Sequence, residues 1–167
     1  MSTPEKNYIL SSDAAAKKLQ RMAYEILENN TEENHLIIAG IRENGFIVAG
    51  SIARLLGSLS DKTIELTSIT VDKKTLGTIT LDGDIDFNNK VVIITDDVSN
   101  SGKTLTYALK PILNAFPKKI QTLVMVERSH KKFPVHPDYV GVSLSTFLHE
   151  HIFVEVAGEE ITGAYVV

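Results

Sequence analysis

Asp96 and Asp97 stand side by side after an apolar run, Val91-Val92-Ile93-Ile94-Thr95, and are followed at once by Val98-Ser99-Asn100-Ser101-Gly102-Lys103-Thr104. Adjacent carboxylates can accept hydrogen bonds from sugar hydroxyls and can hold Mg²⁺ through oxygen, but they repel a phosphate. The turn behind them has the opposite chemistry. A glycine, several hydroxyls and the free amides of a starting helix make a cradle for a phosphate dianion. The two halves together ask for a ligand that is both sugar and phosphate. Ser101-Gly102-Lys103-Thr104 would also close a Walker A loop, but counting back from Gly102 puts Asp97 where that loop needs its first glycine. An acidic strand end followed by a solvated turn is the plain alternative.

Two further segments begin at strand ends. Ala39-Gly40-Ile41-Arg42-Glu43-Asn44-Gly45 carries two glycines that permit close backbone approach to an anion, and Arg42 can neutralise it. Taken alone it reads equally well as an ordinary strand-to-helix turn. Val126-Glu127-Arg128-Ser129-His130-Lys131-Lys132-Phe133-Pro134 ends another strand. Glu127 and Arg128 there can face a ligand, whereas Lys131 and Lys132 read as a solvated basic turn. His149 and His151 sit two apart and would share a strand face, yet they read more simply as loop or strand-edge residues.

The elements that must position these groups are set by periodicity. Ser11-Ser12-Asp13 can cap a helix running to about Asn30, with Leu19, Met22, Ala23, Ile26 and Leu27 at helical spacing. A strand comes next at His35 to Ala39, a turn at Gly40 to Gly45, and a helix at Phe46 to Leu56 ended by Gly57. Thr63 to Val71 alternates like a strand. Residues 72 to 89 are polar and glycine-punctuated, with a short strand at Thr78 to Leu81. After the central strand a helix begins at about Lys103, with Leu105, Ala108, Leu109, Ile112, Leu113 and Phe116 on one face. Pro111 within it predicts a kink rather than a break. Gln121 to Val126 is a further buried strand, and Ile152 to Val156 and Ala164 to Val167 predict a small C-terminal hood. Strands alternating with helices imply an α/β fold with a central, mostly parallel sheet covered on both faces. Such sheets bind ligands at the carboxyl ends of their strands, where the acid pair sits.

Composition narrows the class. With 167 residues and no linker-like tract, the chain predicts one domain over residues 1–167 with a real core. The absence of cysteine excludes disulfides, thiolate catalysis and cysteine-ligated zinc. A net charge of −4 gives nucleic acid no global attraction. No apolar run is long enough for a membrane span and Met1-Ser2-Thr3-Pro4-Glu5-Lys6 lacks the apolar core of a leader, so a cytoplasmic protein without a membrane partner is expected.

The strand, acid pair and Ser-Gly-Lys-Thr turn, in that order, resemble the phosphoribosyl-pyrophosphate (PRPP) signature of the type I phosphoribosyltransferases. The resemblance implies that Asp96 and Asp97 hold the ribose hydroxyls and, mainly through PRPP and water, Mg²⁺. It gives the 5′-phosphate to Val98 and the turn Ser99, Asn100, Ser101, Gly102, Lys103 and Thr104. It gives the pyrophosphate to Gly40, Ile41 and Arg42. Leu10 to Asn30, the Arg42 turn, Glu127-Arg128-Ser129-His130-Lys131-Lys132-Phe133-Pro134 and Pro137-Asp138-Tyr139-Val140-Gly141 are similar, more narrowly, to the pyrimidine operon attenuator/uracil phosphoribosyltransferases. That likeness runs from about Ile9 to the C-terminus and lapses at residues 72 to 89. There Val71-Asp72-Lys73-Lys74 replaces the family's Tyr-Arg-Asp-Asp, leaving Lys73 or Lys74 to stand in for its arginine as a point charge.

The resemblance implies transfer of phosphoribose to a nucleobase, in a homodimer or higher homo-oligomer. Two positions favour uracil. Asn100 stands where purine-salvage relatives carry an aspartate, and Glu127 stands where they carry a lysine for the 6-oxo group; a carboxylate can accept from a ring N–H instead. RNA binding with nucleotide sensing is the second expectation. It is weaker because Gln20, Tyr24 and Asn29, with Glu25 and Glu28 nearby, occupy the RNA-facing helix positions, although Lys17, Lys18, Arg21, Lys131 and Lys132 still offer charge. A purine as acceptor is the third.

Overall fold

The alternation of apolar runs with amphipathic stretches builds nine strands and three helices in a computed structural model that describes residues 3–72, 74, 77–147 and 149–167. In chain order they are β1 (Asn7–Leu10), α1 (Ser12–Asn29), β2 (His35–Ile41), α2 (Asn44–Leu59), β3 (Thr63–Val71) and β4 (Ile79–Leu81). Then come β5 (Val91–Ser99), α3 (Lys103–Ile112), β6 (Lys119–Arg128), β7 (Tyr139–Leu144), β8 (Ile152–Ala157) and β9 (Glu160–Val166). Six strands form one sheet in the order β4-β3-β2-β5-β6-β7, parallel except for β4 at the edge. The hood is a separate antiparallel sheet, β1-β9-β8.

Successive side chains of a strand point to opposite faces, and here both faces are apolar. Leu36, Ile38, Ile93, Leu123 and Met125 pack against Met22 and Ile26 of α1, Val48 and Ile52 of α2, and Val154 of the hood. Ile37, Ala39, Ile94 and Val124 pack on the other side against Leu105, Ala108 and Ile112 of α3, with Phe87. Burying one such Leu or Ile is worth about 1.5–3 kcal/mol, so the double layer holds the central strands rigid. From β2 the chain crosses through α2 to β3 on one side. From β5 it crosses through α3 to β6 on the other. The order therefore reverses between β2 and β5, and a crevice opens there at their carboxyl ends.

α1 begins where its cap predicts, with Ser11 Oγ accepting from Ala14 N at 3.1 Å. Several boundaries differ from the sequence reading. β2 absorbs Gly40 and Ile41, and α2 starts at Asn44 and runs through Gly57 to Leu59, because packing on the sheet outweighs the low helix propensity of one glycine. β5 runs on through the acid pair to Ser99, paired with β6 up to Glu127. α3 passes through Pro111 and ends at Ile112, one residue further on, with Leu113 N still donating to Leu109 O at 2.9 Å, and Leu113 and Phe116 are left 60% and 85% exposed. Periodicity predicts neither β1 nor β7. β1 is only four residues long, and it exists through pairing with β9, Tyr8 opposite Tyr165.

Candidate active site

Two turns meet at the crevice. The first leaves β2 as Arg42-Glu43, joined by a cis peptide bond, and enters α2 at Asn44. The second leaves β5 after Asp96, Asp97 and Ser99 and enters α3 through Gly102. Gly45 lets them touch. A Cβ on it would lie 2.9 Å from both Cα and Oδ1 of Asp96, so a side chain there would push the first turn off the acid pair. Gly102 has φ +84°, the left-handed conformation that glycine adopts without strain, and a Cβ there would meet Val135 O at 3.0 Å. Behind it, Lys132 N and Phe133 N both donate to Ser101 O, at 2.9 and 3.1 Å, bracing the turn from β6's loop.

Three adjoining cavities share Asp96. One of about 630 Å³ is lined by Arg42, Glu43, Asn44, Thr70, Val71, Asp96 and Asp97. A second, about 200 Å³, is formed by residues 98–105 with Asp96. A third, about 410 Å³, lies between the acid pair, Asn100, Lys103 and Thr104 on one side and Ile152, Phe153 and Val154 of β8 on the other. Asp96 is nearly buried and its Oδ1 accepts from Asp97 N at 2.8 Å; Asp97 Oδ1 accepts from Val98 N at 2.8 Å. Ser99 Oγ and Thr95 Oγ1 are buried and have no hydrogen-bond partner among the described residues. Lys103 N is within 3.3 Å of Ser101 Oγ. The site thus sets acceptors in its centre, amides and hydroxyls on one flank, and a guanidinium on the other.

Arg42 is not idle. Its Nε donates to Ser68 Oγ at 3.0 Å and to Asp82 Oδ2 at 3.1 Å, its Nη2 donates to the same oxygen at 2.8 Å, and its guanidinium lies 5.2 Å from the centre of the Phe46 ring. The hydroxyl of Ser68 also donates to Asp82. That hydroxyl first, and Arg42 second, hold the Asp82 carboxyl below the usual carboxylate range. Asp82 is a site residue that sequence reasoning misses, as are Ser68, Asn44 and Phe153. Asn44 lies within the first glycine turn, and its Nδ2 donates to Val154 O at 3.1 Å, tying the turn to the hood. No periodicity marks the other three.

The remaining expected residues fall in two groups. Val98, Ser99, Asn100, Ser101, Gly102, Lys103 and Thr104 line the small cavity. Gly40 and Ile41 are buried in β2, where a Cβ on Gly40 would lie 2.6 Å from Phe46 Cα, and the cavity wall begins at Arg42. Glu127 and Arg128 line none of the three cavities. Glu127 accepts from Ser143 Oγ at 3.1 Å and pairs with Lys131 Nζ at 3.3 Å. Arg128 donates to Phe147 O at 3.3 Å and to Glu150 O, fixing the loop that leads into β8. The side chain of Lys131 is only 4% exposed and also donates to Arg128 O, so it is not the solvated residue its sequence suggests. The loop folding over the 98–104 turn buries it. Lys73 lies outside the described residues.

A family model described as a phosphoribosyl transferase domain matches residues 6–160. Among curated proteins, the chain is 31% identical to the bifunctional protein PyrR of Pelotomaculum thermopropionicum, covering 93% of each chain. It is 33% identical to the bifunctional protein PyrR of Microcystis aeruginosa, covering 96% of this chain and 95% of that one. Among solved structures, a hypoxanthine phosphoribosyltransferase of Trypanosoma cruzi superposes with a TM-score of 0.74 at 16% identity, covering 83% of this chain and 81% of the other. A hypoxanthine-guanine phosphoribosyltransferase from Bacillus anthracis gives 0.72 at 19% identity over 85% and 84%. At those identities the structural likeness speaks to the fold alone.

Proposed function

The chain belongs to the phosphoribosyl transferase family, and from that premise we propose that it transfers the phosphoribosyl group of PRPP to uracil and releases pyrophosphate. The observation that carries this reading is the convergence of the Asp96–Asp97 pair, the 98–104 turn and Arg42 around connected cavities at the switch point of the sheet. In this assignment the amides and hydroxyls of the 98–104 turn hold the 5′-phosphate, with the unpartnered Ser99 Oγ as one donor. Asp96 and Asp97 accept from the ribose hydroxyls, and Arg42 faces the pyrophosphate. The base enters the cavity beneath Phe153, whose wall Arg128 steadies through Phe147 O and Glu150 O.

The C1–O bond to pyrophosphate breaks with its electron pair on the leaving oxygen, a base ring nitrogen forms the new C–N bond, and the ring proton passes to solvent. Positive charge grows at C1 beside two fixed carboxylates and negative charge grows near Arg42, so the site opposes neither change. Clamping both ends of PRPP supplies orientation, worth several kcal/mol in well-arranged systems. Mg²⁺ would neutralise the pyrophosphate oxygens. Asp96 and Asp97, oxygen donors lining the same cavity as Arg42, would hold that ion mainly through PRPP and water. No helix among the described residues is long and apolar enough to cross a membrane. A cytoplasmic homodimer or higher homo-oligomer completes the proposal.

The test is initial-rate measurement with PRPP and Mg²⁺ against uracil, hypoxanthine, guanine, adenine and orotate. Uracil is expected to be the best acceptor. Preference for a purine would overturn the base assignment, and turnover of no base would overturn the activity. RNA binding is the second reading, supported by relatives that are named bifunctional and by the exposed Lys17 on α1. Against it, Arg21 is committed to Glu25 and to Val140 O and Gly141 O, at 2.8 and 3.1 Å for the carbonyls. Titration of leader RNA across salt concentrations separates the two, since each phosphate contact adds to the salt slope.

A further inference from the structure

Arg42 meets a carboxylate before it meets any ligand. Asp82 Oδ2 sits 2.8 Å from Arg42 Nη2 and 3.1 Å from its Nε, so one oxygen takes two of the guanidinium's donors. Both side chains are about half exposed, at 49% and 50%, where an ion pair is ordinarily loose. This one is delivered by fixed backbone. Asp82 N donates to Ser68 O at 3.1 Å and Thr67 Oγ1 donates to Asp82 O at 2.8 Å, so β3 holds the residue at both backbone groups. Ser68, 2% exposed, adds its hydroxyl to the carboxylate from beneath. These same partners, the Ser68 hydroxyl first and Arg42 second, hold the carboxyl below its ordinary range.

We propose that Asp82 is a built-in competitor for the Arg42 turn: its carboxylate occupies the guanidinium that a pyrophosphate group would use, and so sets how tightly the site takes that group. The proposal rests on the pyrophosphate role assigned to Arg42 under the proposed function. A diphosphate arriving at Arg42 must displace one carboxylate oxygen and then lie near it, since the backbone anchors and the Ser68 hydroxyl hold Asp82 close to the turn. Exchange of one anion for another at a half-exposed guanidinium, plus residual repulsion, corresponds to an affinity about three- to tenfold lower than the turn would otherwise show. It also gives the leaving pyrophosphate a rival that can retake Arg42 and favour release.

The test is calorimetric titration of inorganic pyrophosphate, with EDTA present so that no divalent ion bridges ligand and protein. It compares wild type, Asp82→Asn, Asp82→Ala and Arg42→Ala, each checked for a wild-type circular dichroism spectrum. Both Asp82 variants are expected to bind about three- to tenfold more tightly than wild type, and Arg42→Ala more weakly. In wild type, added pyrophosphate should move the Arg42 Nε–H resonance off the position set by its bond to Asp82, a displacement that a merely structural role would not produce. Binding unchanged or weakened in both Asp82 variants, while Arg42→Ala still loses it, would overturn the competitor and leave the proposed function standing. Binding indifferent to Arg42→Ala, or absent from all four proteins, would overturn the competitor and the pyrophosphate role of Arg42 together.

Discussion

At the amino-terminal edge of the parallel sheet, Asn30 Nδ2 donates to Ile26 O at 2.8 Å and to Gln121 Oε1 at 3.1 Å, while at the carboxyl edge Ser99 Oγ and Thr95 Oγ1 are buried without a partner among the described residues. The contrast runs along the whole sheet. Lys119 Nζ donates to Asn30 Oδ1 at 2.8 Å, Tyr139 OH to Gln121 Oε1 at 2.9 Å, and Thr122 N to Asp138 Oδ2 at 2.8 Å, so the amino edge answers its own polar groups. The other buried side-chain atoms without partners, Arg128 Nε and Thr146 Oγ1, lie at or just beyond the carboxyl ends of β6 and β7. An unmet buried donor or acceptor costs about 1–3 kcal/mol. A chain that satisfies one edge and leaves the other wanting has divided stability from binding, and the division should be visible in mutants.

The largest effect belongs to the carboxyl edge. Asp96→Asn with Asp97→Asn should lower phosphoribosyl transfer by about 10³-fold or more, because the proposed mechanism sets their fixed negative charge beside the reacting carbon. The melting temperature should hold or rise, since two like charges disappear and each Asn Oδ1 can still accept from the following amide. Near-normal turnover, or a fall of many degrees in melting temperature, would break the comparison at its strongest point. The complementary change is Asn30→Ala. It removes acceptors and donors used by Ile26, Gln121 and Lys119 and should cost about 2–3 kcal/mol, roughly 4–12 °C for a chain of this size. Below that transition kcat and KM should match wild type. A change in either would show that the two edges are coupled.

How much of this is legible in the sequence depends on whether the cause is local. The strand–acid–turn order from Val91 to Thr104 is written in consecutive residues, and the doubly covered sheet comes from apolar runs whose two faces both need burial. Asp82 cannot be found that way. It is one acid in a polar, glycine-punctuated stretch, and only the anchoring of that stretch on Thr67 and Ser68 brings it to Arg42. Lys131 misleads for the same reason: its neighbours' amides bind Ser101 O, and the loop closes over it. Past Pro111 an apolar pattern that continues to Phe116 predicts a longer helix, but α3 ends at Ile112 and Leu113 and Phe116 stay exposed, so their spacing marks no buried face. Gly40 and Gly45 look alike in sequence. One packs β2 against α2 and the other seats the first turn on Asp96, a difference set by what lies across from each.

The smallest effect sharpens the amino edge by its pH dependence. Tyr139 is 1% exposed, and burial raises its phenol above the ordinary value of 10.0, with the Asp138 charge adding to the rise and hydrogen bonding with Asn29, Gln121 and Asn30 opposing it. A raised value means that the folded state holds the proton more tightly than the unfolded chain does. The stabilisation is therefore fully present below pH 10 and is lost as pH climbs through the folded value. At pH 8, Tyr139→Phe should cost about 1 kcal/mol for the lost bond to Gln121, whose Oε1 still accepts from Asn30. At pH 11 the wild type must begin to ionise a buried phenol and the variant has none, so the difference in urea midpoint should shrink or reverse. A difference that stays constant between pH 8 and pH 11 would mean that the phenol ionises as freely folded as unfolded. The amino edge would then be open to water, and its contrast with the carboxyl edge would rest on Asn30 and Lys119 alone.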